Sequence, residues 1–246
     1  MYNVAVIVAA GLSSRLYPHT LDYPKCLLEI NHVSLIERAM QNLEANGIRQ
    51  CFIVTGYQWK KLSHLSSRKG PLKVSLIHNP FYRTCNNMAS LWFAKTYVGD
   101  QSFIYLHSDV YCDPKLFKHF VKRSEQENTS LMTLMTDFGP VDEEAMKVKV
   151  NENDVLVDCN KTMHLDEANG EWTGIAAIHK PQKVFDEIER CLEGEYLDVY
   201  DTFAFTNLAA KKHERIVCLS TDAFNWKEID TYEDLQDIRR SIETAK

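Results

Sequence analysis

The chain has 246 residues, a net charge of −6 and 45% hydrophobic residues, which suits one α/β domain with at most a modest insertion. The acidic balance argues against nucleic acid or an anionic membrane as a partner, so a phosphate site must be built locally. No apolar stretch approaches the ~20 residues that span a bilayer, and we expect no signal peptide. The seven scattered cysteines form no C-x-x-C pair, which favours reduced thiols and a cytoplasmic location.

The first half of the chain alternates between short apolar runs and helical patterns. Val4 to Ala9 is fully apolar and rich in β-branched residues, as in a buried parallel strand. Ser34 and Glu37 form a capping box that opens a helix ending near Gly47. Further along we predict strands at 51–55, 73–77 and 102–106, a helix beginning at 56, and helices at 86–97 and 114–127. This alternation predicts an α/β fold with a doubly wound, mostly parallel sheet.

The second half of the chain is more mixed. We predict strands at 130–136, 146–150, 155–158, 172–178, 216–219 and 226–229, and helices at 182–192 and from Thr231, as N-cap, through 242. No internal repeat and no linker divides the chain. The sequence therefore predicts a single domain over 1–246, with a smaller mixed region beside the parallel sheet.

A polar segment rich in small residues follows the first strand. It leaves the carboxyl end of that strand, where open α/β sheets bind ligands. Gly11 lets backbone N–H groups approach a ligand closely, while Arg15 and Lys25 bring two cations, and a backbone nest with cations is typical of a triphosphate site. The residues that we expect to contact a nucleotide here are Ala9, Ala10, Gly11, Leu12, Ser13 and Ser14.

Other phosphate-binding and nucleophile motifs are absent. The chain has no G-x-x-x-x-G-K-[ST] loop, and Gly11 has no second glycine that would make a G-x-G-x-x-G motif. A G-x-S-x-G motif beginning at Gly11 is excluded because Arg15 occupies its last position. The segment instead closely resembles the signature loop of the sugar-phosphate nucleotidyltransferases, G-x-G-[ST]-R-[LM]…P-K, with Ser13 where many members have a second glycine. The resemblance covers nearly the whole chain. It implies a Rossmann-like fold with a nucleotide-binding half at 1–111 and an acceptor-binding half at 112–246, and it implies that Arg15 and Lys25 act on the phosphates.

Two acidic residues follow predicted strands and would emerge at the ligand edge of the sheet. Asp109 follows the strand at 102–106, and Asp230 follows the strand at 226–229. Magnesium usually takes one or two protein carboxylates together with substrate phosphates and water. The resemblance implies that these two residues hold Mg2+. The alternative is that each caps a helix, and Asp230 does precede one.

The segment from Asn79 to Leu91 separates the branches of the family. The Gly-Thr-Ala-like turn of the sugar enzymes is missing here. The segment resembles CTP-dependent enzymes that act on phosphocholine and 2-aminoethylphosphonate, and it implies nucleotide contacts by Asn86, Asn87 and Ser90. Asparagine amides both donate and accept hydrogen bonds, which suits a pyrimidine edge or a ribose. The alternative role for Asn86 is a helix cap.

Four residues of the second half resemble acceptor-binding positions of the same branch. Lys161 stands where relatives place a lysine for the acceptor phosphate. Trp172, Asp198 and Tyr200 combine aromatic faces with a carboxylate, which attracts an ammonium group. A Trp-Asp pair of the phosphocholine enzymes is replaced here by Asp201-Thr202, so choline itself is less expected. The alternative is that the aromatic residues are core and the lysine is simply exposed.

The expected function is that of a magnesium-dependent cytidylyltransferase. It would transfer CMP from CTP to a small phosphorylated or phosphonylated acceptor and release pyrophosphate, with no nucleic acid or membrane partner. A homodimer is compatible with the sequence, which does not decide the oligomeric state. Two alternatives remain open, namely a sugar-1-phosphate nucleotidyltransferase and a non-catalytic nucleotide-binding regulator.

Overall fold

The computed structural model of the protein describes residues 1–18, 20–211, 213–222 and 224–244, apart from the side chains of Ser14, Glu243 and Thr244. The strands are β1 Val4–Ala9, β2 Glu29–Ile30, β3 Val33–Ser34, β4 Gln50–Thr55, β5 Lys73–His78, β6 Phe103–His107, β7 Val110–Cys112, β8 Met132–Phe138, β9 Lys147–Val150, β10 Leu156–Asn160, β11 Gly170–Ile178, β12 Ile216–Ser220 and β13 Trp226–Glu228. The α-helices are α1 Leu35–Ala45, α2 Asn87–Trp92, α3 Lys95–Val98, α4 Pro114–Gln126, α5 Pro181–Glu193, α6 Asp201–Ala209 and α7 Tyr232–Thr244. Within these ranges, no helix has both the length and the apolar character that crossing a membrane requires.

A nine-stranded sheet forms the centre of the molecule. Strands β5, β4, β1 and β6 lie side by side in that order and run parallel. The chain builds outward from β1 to β4 and β5, then returns to the other side of β1 to form β6. The strand order therefore reverses between β1 and β6, and in open α/β sheets the ligand crevice lies at the carboxyl ends of such a pair.

The second half of the chain extends this sheet with antiparallel strands. Strand β11 pairs antiparallel with β6, and β8 and β9 pair antiparallel with β11. The last strand of the sheet, β12, runs parallel to β8. The predicted α/β fold class, with a mixed region beside a mostly parallel sheet, is confirmed.

Helices cover both faces of the sheet, as double winding requires. The side chains of Val4, Val6 and Val8 pack into one core with α2, α5 and α6. The residues between them on β1, at 5, 7 and 9, pack into a second core with α1 and α4. Successive side chains of a strand point to opposite faces, so a strand that is buried on both sides must be apolar throughout, as β1 is.

Several predicted elements differ from the observed ones. The helix predicted at 86–97 is two helices, α2 and α3, because the backbone N–H of Ala94 donates to the carbonyl of Leu91 and tightens the turn between them. The helix predicted from 56 is a 3-10 helix, Trp59–Ser67. The strand predicted at 226–229 is β13, which pairs with β7 in a separate two-stranded ribbon rather than in the main sheet. Helix α6 and the short strands β2, β3 and β7 were not predicted.

The predicted capping box is present at the start of α1. The Ser34 side chain accepts a hydrogen bond from the backbone N–H of Glu37, and the Glu37 carboxylate accepts one from the backbone N–H of Ser34. We expect Ser34→Ala to lower the free energy of unfolding by about 1 kcal/mol, because the backbone N–H of Glu37 loses its acceptor and the Glu37 carboxylate loses the hydrogen bond from the Ser34 hydroxyl. Urea denaturation measures this change, and Ser66→Ala, which removes an exposed hydroxyl, is the control. Equal stability of both variants would contradict the assigned cap.

Candidate active site

A cleft of about 440 Å³ opens at the carboxyl ends of β1 and β6, where the strand order reverses. Most of the residues predicted to form the site line it. They are Ala9, Ala10, Gly11, Leu12, Ser13, Arg15, Lys25, Asn86, Asn87, Ser90, Asp109, Lys161, Trp172, Tyr200 and Asp230. Asp198 lies outside the lining, and the side chain of Ser14 is outside the described residues.

The segment after β1 turns sharply at Ser13. Ser13 has a φ of 56°, in the left-handed region that favours glycine. Its carbonyl accepts a hydrogen bond of 2.7 Å from the hydroxyl of the buried Thr20, which holds the turn in place. Glycine, which the signature pattern carries at this position, would adopt this conformation without strain. A Cβ at Gly11 would meet no described atom within 4 Å, so the fold itself leaves room there.

The same segment is fastened to the end of β4. The backbone N–H of Tyr57 donates to the carbonyl of Ala10 at 3.2 Å. A Cβ at Gly56 would lie 2.5 Å from that carbonyl oxygen and 2.6 Å from the Cβ of Tyr82. Only glycine at position 56 therefore allows the end of β4, the segment at Ala10 and the side chain of Tyr82 to lie this close together.

Lys25 lies on the floor of the cleft between two carboxylates. It begins a short 3-10 helix, Lys25–Leu27, and is only 8% exposed. Its Nζ donates to Asp109 Oδ2 at 2.8 Å and to Asp230 Oδ1 at 2.6 Å. Burial lowers the pKa of Lys25, but the two carboxylates outweigh this effect and leave the pKa raised. Lys25 is therefore a buried, paired ammonium group.

The ribbon of β7 and β13 brings three carboxylates together. Glu228 pairs with Val110 across the ribbon, and the backbone N–H of Ile229 donates to the carbonyl of Asp109 at 3.0 Å. Oxygens of Asp109, Glu228 and Asp230 all lie within 4.8 Å of one another. Burial, and then the charges of Asp109 and Asp230, raise the pKa of Glu228 to about 7. Three clustered carboxylates attract a cation strongly, because their mutual repulsion is then relieved.

The sequence analysis did not predict a metal-binding role for Glu228. The spacing of the two residues could have indicated one, because Glu228 and Asp230 are two residues apart at the end of a predicted strand and therefore point to the same side.

The oxygens of this cluster suit a hard divalent cation. Asp109 Oδ1 is buried and accepts no hydrogen bond from any described group, although a buried acceptor without a partner is costly. Magnesium prefers such carboxylate oxygens. Arg15 reaches the same cluster from the loop, with Nη2 at 2.8 Å from Asp230 Oδ2. The donor set therefore fits Mg2+, with two protein cations next to it.

One wall of the cleft is formed by the turn before α2. The fully buried Asn79 organises this turn, since its Oδ1 accepts from the backbone N–H of Phe81 and its Nδ2 donates to Ser90 Oγ at 3.1 Å. Cys85 also contacts Asn79 Nδ2 and lines the cleft. Asn86 caps α2, because its Oδ1 accepts from the backbone N–H of Asn87. Asn86 therefore caps a helix, which was the alternative role for this residue in the sequence analysis.

A buried polar group lies behind the cleft, and the sequence did not indicate it. The carboxylate of Asp201, which is fully buried, accepts hydrogen bonds from Tyr105 Oη at 2.6 Å and from His107 Nε2 at 3.0 Å. Burial lowers the pKa of His107, but Asp201 outweighs it and raises the pKa above its usual value. His107 lines the cleft and precedes Asp109 by two residues.

The opposite wall carries the residues predicted to bind the acceptor. Trp172 is 3% exposed, packs edge-on against His107 and donates from Nε1 to the carbonyl of Ile175, so most of its ring belongs to the core. Tyr200 is exposed, and the Lys161 ammonium lies 5.5 Å from the centre of its ring. Asp198 is exposed and lies 3.5 Å from Asn86 Nδ2.

Comparisons with known proteins agree with this geometry. The chain is 28% identical over 197 residues to the choline-phosphate cytidylyltransferase of Streptococcus pneumoniae, which covers 80% of each protein. It is 33% identical over 90 residues to the 2-aminoethylphosphonate cytidylyltransferase of Lancefieldella rimae, covering 37% of this chain and 36% of that relative. A solved structure of the CTP:phosphocholine cytidylyltransferase from Streptococcus pneumoniae has the same fold, with a TM-score of 0.80, 22% identity, and coverage of 98% of this chain and 99% of that chain.

The family model for nucleotidyl transferases matches residues 4–146, which is more than half of the chain. That range contains the signature loop, the turn before α2 and Asp109. The resemblance predicted from the loop is therefore confirmed, and the chain, a transferase with CTP-utilising relatives, belongs to the nucleotidyl transferase family.

Proposed function

We propose that the protein is a magnesium-dependent cytidylyltransferase that transfers CMP from CTP to a small acceptor of the phosphocholine or 2-aminoethylphosphonate type and releases pyrophosphate. The observation that carries the proposal is the cluster of Asp109, Glu228 and Asp230, which contacts Lys25 and Arg15 beneath the signature loop. The names of the relatives support CTP as the nucleotide and a phosphorylated or phosphonylated amine as the acceptor.

The acidic cluster is the proposed metal site. Asp109 and Asp230 hold Mg2+, and the position of Glu228 makes it a third candidate ligand. Asp109 Oδ1 is free of protein hydrogen bonds among the described groups and is the oxygen best placed for this role. A bound magnesium ion would neutralise charge on the triphosphate and on the leaving pyrophosphate.

Two protein cations serve the phosphates. A lysine ammonium has three donors, and Lys25 gives two of them to Asp109 and Asp230, which leaves one for an oxygen of the α-phosphate. Arg15 is half-exposed at the cleft and binds the β- and γ-phosphates. An acceptor oxygen attacks the α-phosphorus in line, the bond from that phosphorus to the bridging oxygen breaks, and pyrophosphate leaves. The attacking oxygen is already anionic, so no general base is needed, and catalysis depends on positioning and charge neutralisation.

The acceptor wall fits a short molecule with charges of both signs. Lys161 is the proposed partner of the acceptor phosphate or phosphonate, and the exposed face of Tyr200 is the proposed partner of its amine. These two groups are adjacent, since the Lys161 ammonium lies 5.5 Å from the ring centre of Tyr200. An acceptor that binds both must therefore carry its anionic and cationic groups a few bonds apart. Trp172 and Asp198 complete the proposed site.

A pyrophosphate-release assay tests the proposed function. CTP with magnesium is tested against phosphocholine, 2-aminoethylphosphonate and a hexose 1-phosphate as separate acceptors. We expect release with one of the two amine acceptors. Release only with the hexose phosphate would assign the protein to the sugar enzymes, and nucleotide binding without release would identify a regulator.

The nucleotide preference is the next prediction. We expect kcat/KM for CTP to exceed that for ATP and GTP by roughly 100-fold. The start of α2 forms one wall of the cleft and would exclude the wider purine, and a wrong base would also leave polar groups of the site without hydrogen-bond partners. UTP has the same size as CTP and differs only in the exocyclic group on C4 and the proton on N3, so it is the closer competitor. The measurement compares all four triphosphates with one acceptor at equal magnesium. A purine nucleotide that matches CTP would contradict the prediction and the base-binding role predicted for Asn86.

A further inference from the structure

The side chain of Asn87 faces the acceptor half of the protein. Its Oδ1 accepts a hydrogen bond of 2.8 Å from the backbone N–H of Asp201, the first residue of α6. Because that N–H can only donate, the atom that faces it must be the amide oxygen, which fixes the orientation of the side chain. Asn87 Nδ2 consequently lies 3.1 Å from His107 Nε2. The oxygen of this amide, its only acceptor atom, therefore has a protein partner in the structure.

The carboxylate of Asp201 determines whether His107 Nε2 is a hydrogen-bond donor or an acceptor. Asp201 Oδ2 lies 3.0 Å from His107 Nε2 and can only accept, so the proton on Nε2 points to Asp201. Nε2 is then no acceptor for Asn87, and the contact of 3.1 Å is a packing contact. The hydrogen bond that fixes Asn87 is the one from the Asp201 backbone.

The segment 197–201 is linked to the start of α2 by further contacts. The backbone N–H of Asn86 donates to the carbonyl of Leu197 at 3.0 Å, and Asn86 Nδ2 approaches Asp198 Oδ1 at 3.5 Å. Leu197 and Tyr200 are exposed, whereas Val199 packs against the core and the Asp201 carboxylate is bound by Tyr105 and His107. The hydrogen bond from Asn87 joins these contacts in fixing the backbone next to Tyr200 at the cleft.

We propose that Asn87 is a positioning residue for the acceptor rather than a reader of the cytosine amino group, because Oδ1, its only acceptor atom, already accepts from the N–H of Asp201. It holds the segment 197–201 against α2, and through that segment it sets the place of Tyr200 and Asp198. This inference rests on the proposed function, because it takes Tyr200 and Asp198 as acceptor-binding residues. The same hydrogen bond joins the two walls of the cleft. Helix α2 belongs to the nucleotide wall, and α6 begins directly after Tyr200 of the acceptor wall, so the bond between Asn87 and Asp201 keeps the two walls at a fixed distance.

Asn87→Ala tests the proposal, because the proposal predicts a change in the KM for the acceptor but not in the affinity for CTP. It leaves the buried N–H of Asp201 without an acceptor, so we expect the KM for the acceptor to rise about tenfold. The affinity for CTP with magnesium, measured calorimetrically without acceptor, should change less than about twofold, and the ratio of kcat/KM for CTP and UTP should stay constant. A loss of CTP affinity or of the CTP preference, or an unchanged acceptor KM, would overturn the proposal.

Hydrogen exchange gives a second readout that needs no turnover. In Asn87→Ala the amides of 197–201 should exchange faster than in the wild type, while those of the signature loop at 9–13 should not. Asn46→Ala is the matched control, because it is the same substitution at the end of α1, outside the cleft, where Asn46 Nδ2 donates to the carbonyl of Asn42. Unchanged exchange at 197–201 in Asn87→Ala, or equal acceleration in Asn46→Ala, counts against the proposal.

The exchange and calorimetric measurements also separate the two proposals. If the wild type transfers CMP to no acceptor, the proposed function fails, and these measurements still decide whether Asn87 fixes the segment. Asn87→Asp keeps an oxygen for the Asp201 N–H and should restore slow exchange at 197–201, provided that the hydrogen bond is the cause. If Asn87→Asp exchanges as fast as Asn87→Ala, the proposed hydrogen bond is not what holds the segment.

Discussion

Replacing Asp109 or Asp230 by asparagine should lower kcat by about 1,000-fold or more while the fold is retained. Each change removes one negative charge from a site that must hold a dication against a triphosphate. It also leaves Lys25 with a single carboxylate partner instead of two, so the lysine that is proposed to contact the α-phosphate would be less well positioned.

The assay is pyrophosphate release at saturating magnesium and CTP, with thermal unfolding of each variant as the check on the fold. Asp100→Asn is the matched control, since Asp100 is exposed and lies outside the cleft. Direct titration with Mn2+ adds a readout apart from turnover, and both active-site variants should bind it more weakly than the control. Near wild-type rates for both variants at saturating magnesium would refute the metal assignment.

Lys25→Ala should lower kcat by roughly 100-fold or more and change the KM for CTP much less, because the charge of Lys25 is proposed to act mainly on the transition state. In the proposed mechanism, the α-phosphoryl oxygens would gain their interaction with this ammonium as the new bond forms. The variant also releases Asp109 and Asp230 from a protein cation. Metal binding should then be retained or stronger, so that additional magnesium does not restore the rate.

Initial rates over a matrix of CTP and magnesium concentrations separate these effects. Lys122→Ala provides the control, because Lys122 is exposed on α4 and lies outside the cleft. If Lys25→Ala raises only the KM for CTP, Lys25 binds the ground state and the catalytic role is wrong. Recovery of kcat with excess magnesium would point to a role in metal binding instead.

The parts of the molecule that depend on local chemistry were predictable from the sequence. The apolar run of β1 and the box of Ser34 and Glu37 each form the predicted element, because burial on two faces and helix capping are decided within a few residues. The signature loop was recognisable for the same reason, since it is a contiguous segment. Its strained residue, Ser13, is understood only from the backbone angle and the hydrogen bond from Thr20.

Features that join distant segments were not predictable in this way. Helix α2 and helix α3 were predicted as one helix, and α6 was not predicted at all. The residues of α6 are largely apolar or small, and its first residue, Asp201, is buried by contacts with Tyr105 and His107 about 95 positions earlier in the chain. Local periodicity carries no information on such contacts.

The sequence by itself determined the family, the parallel strands around β1 and most of the residues that line the cleft, because each depends on contiguous patterns of apolar, small and charged residues. Only the tertiary structure decided how the charges are paired. The ribbon of β7 and β13 brings Glu228 and Asp230 to Asp109 across about 120 residues, and Lys25 closes the cluster. The reason is physical: the attraction between charges depends on distance in space and on burial, and both are properties of the folded chain.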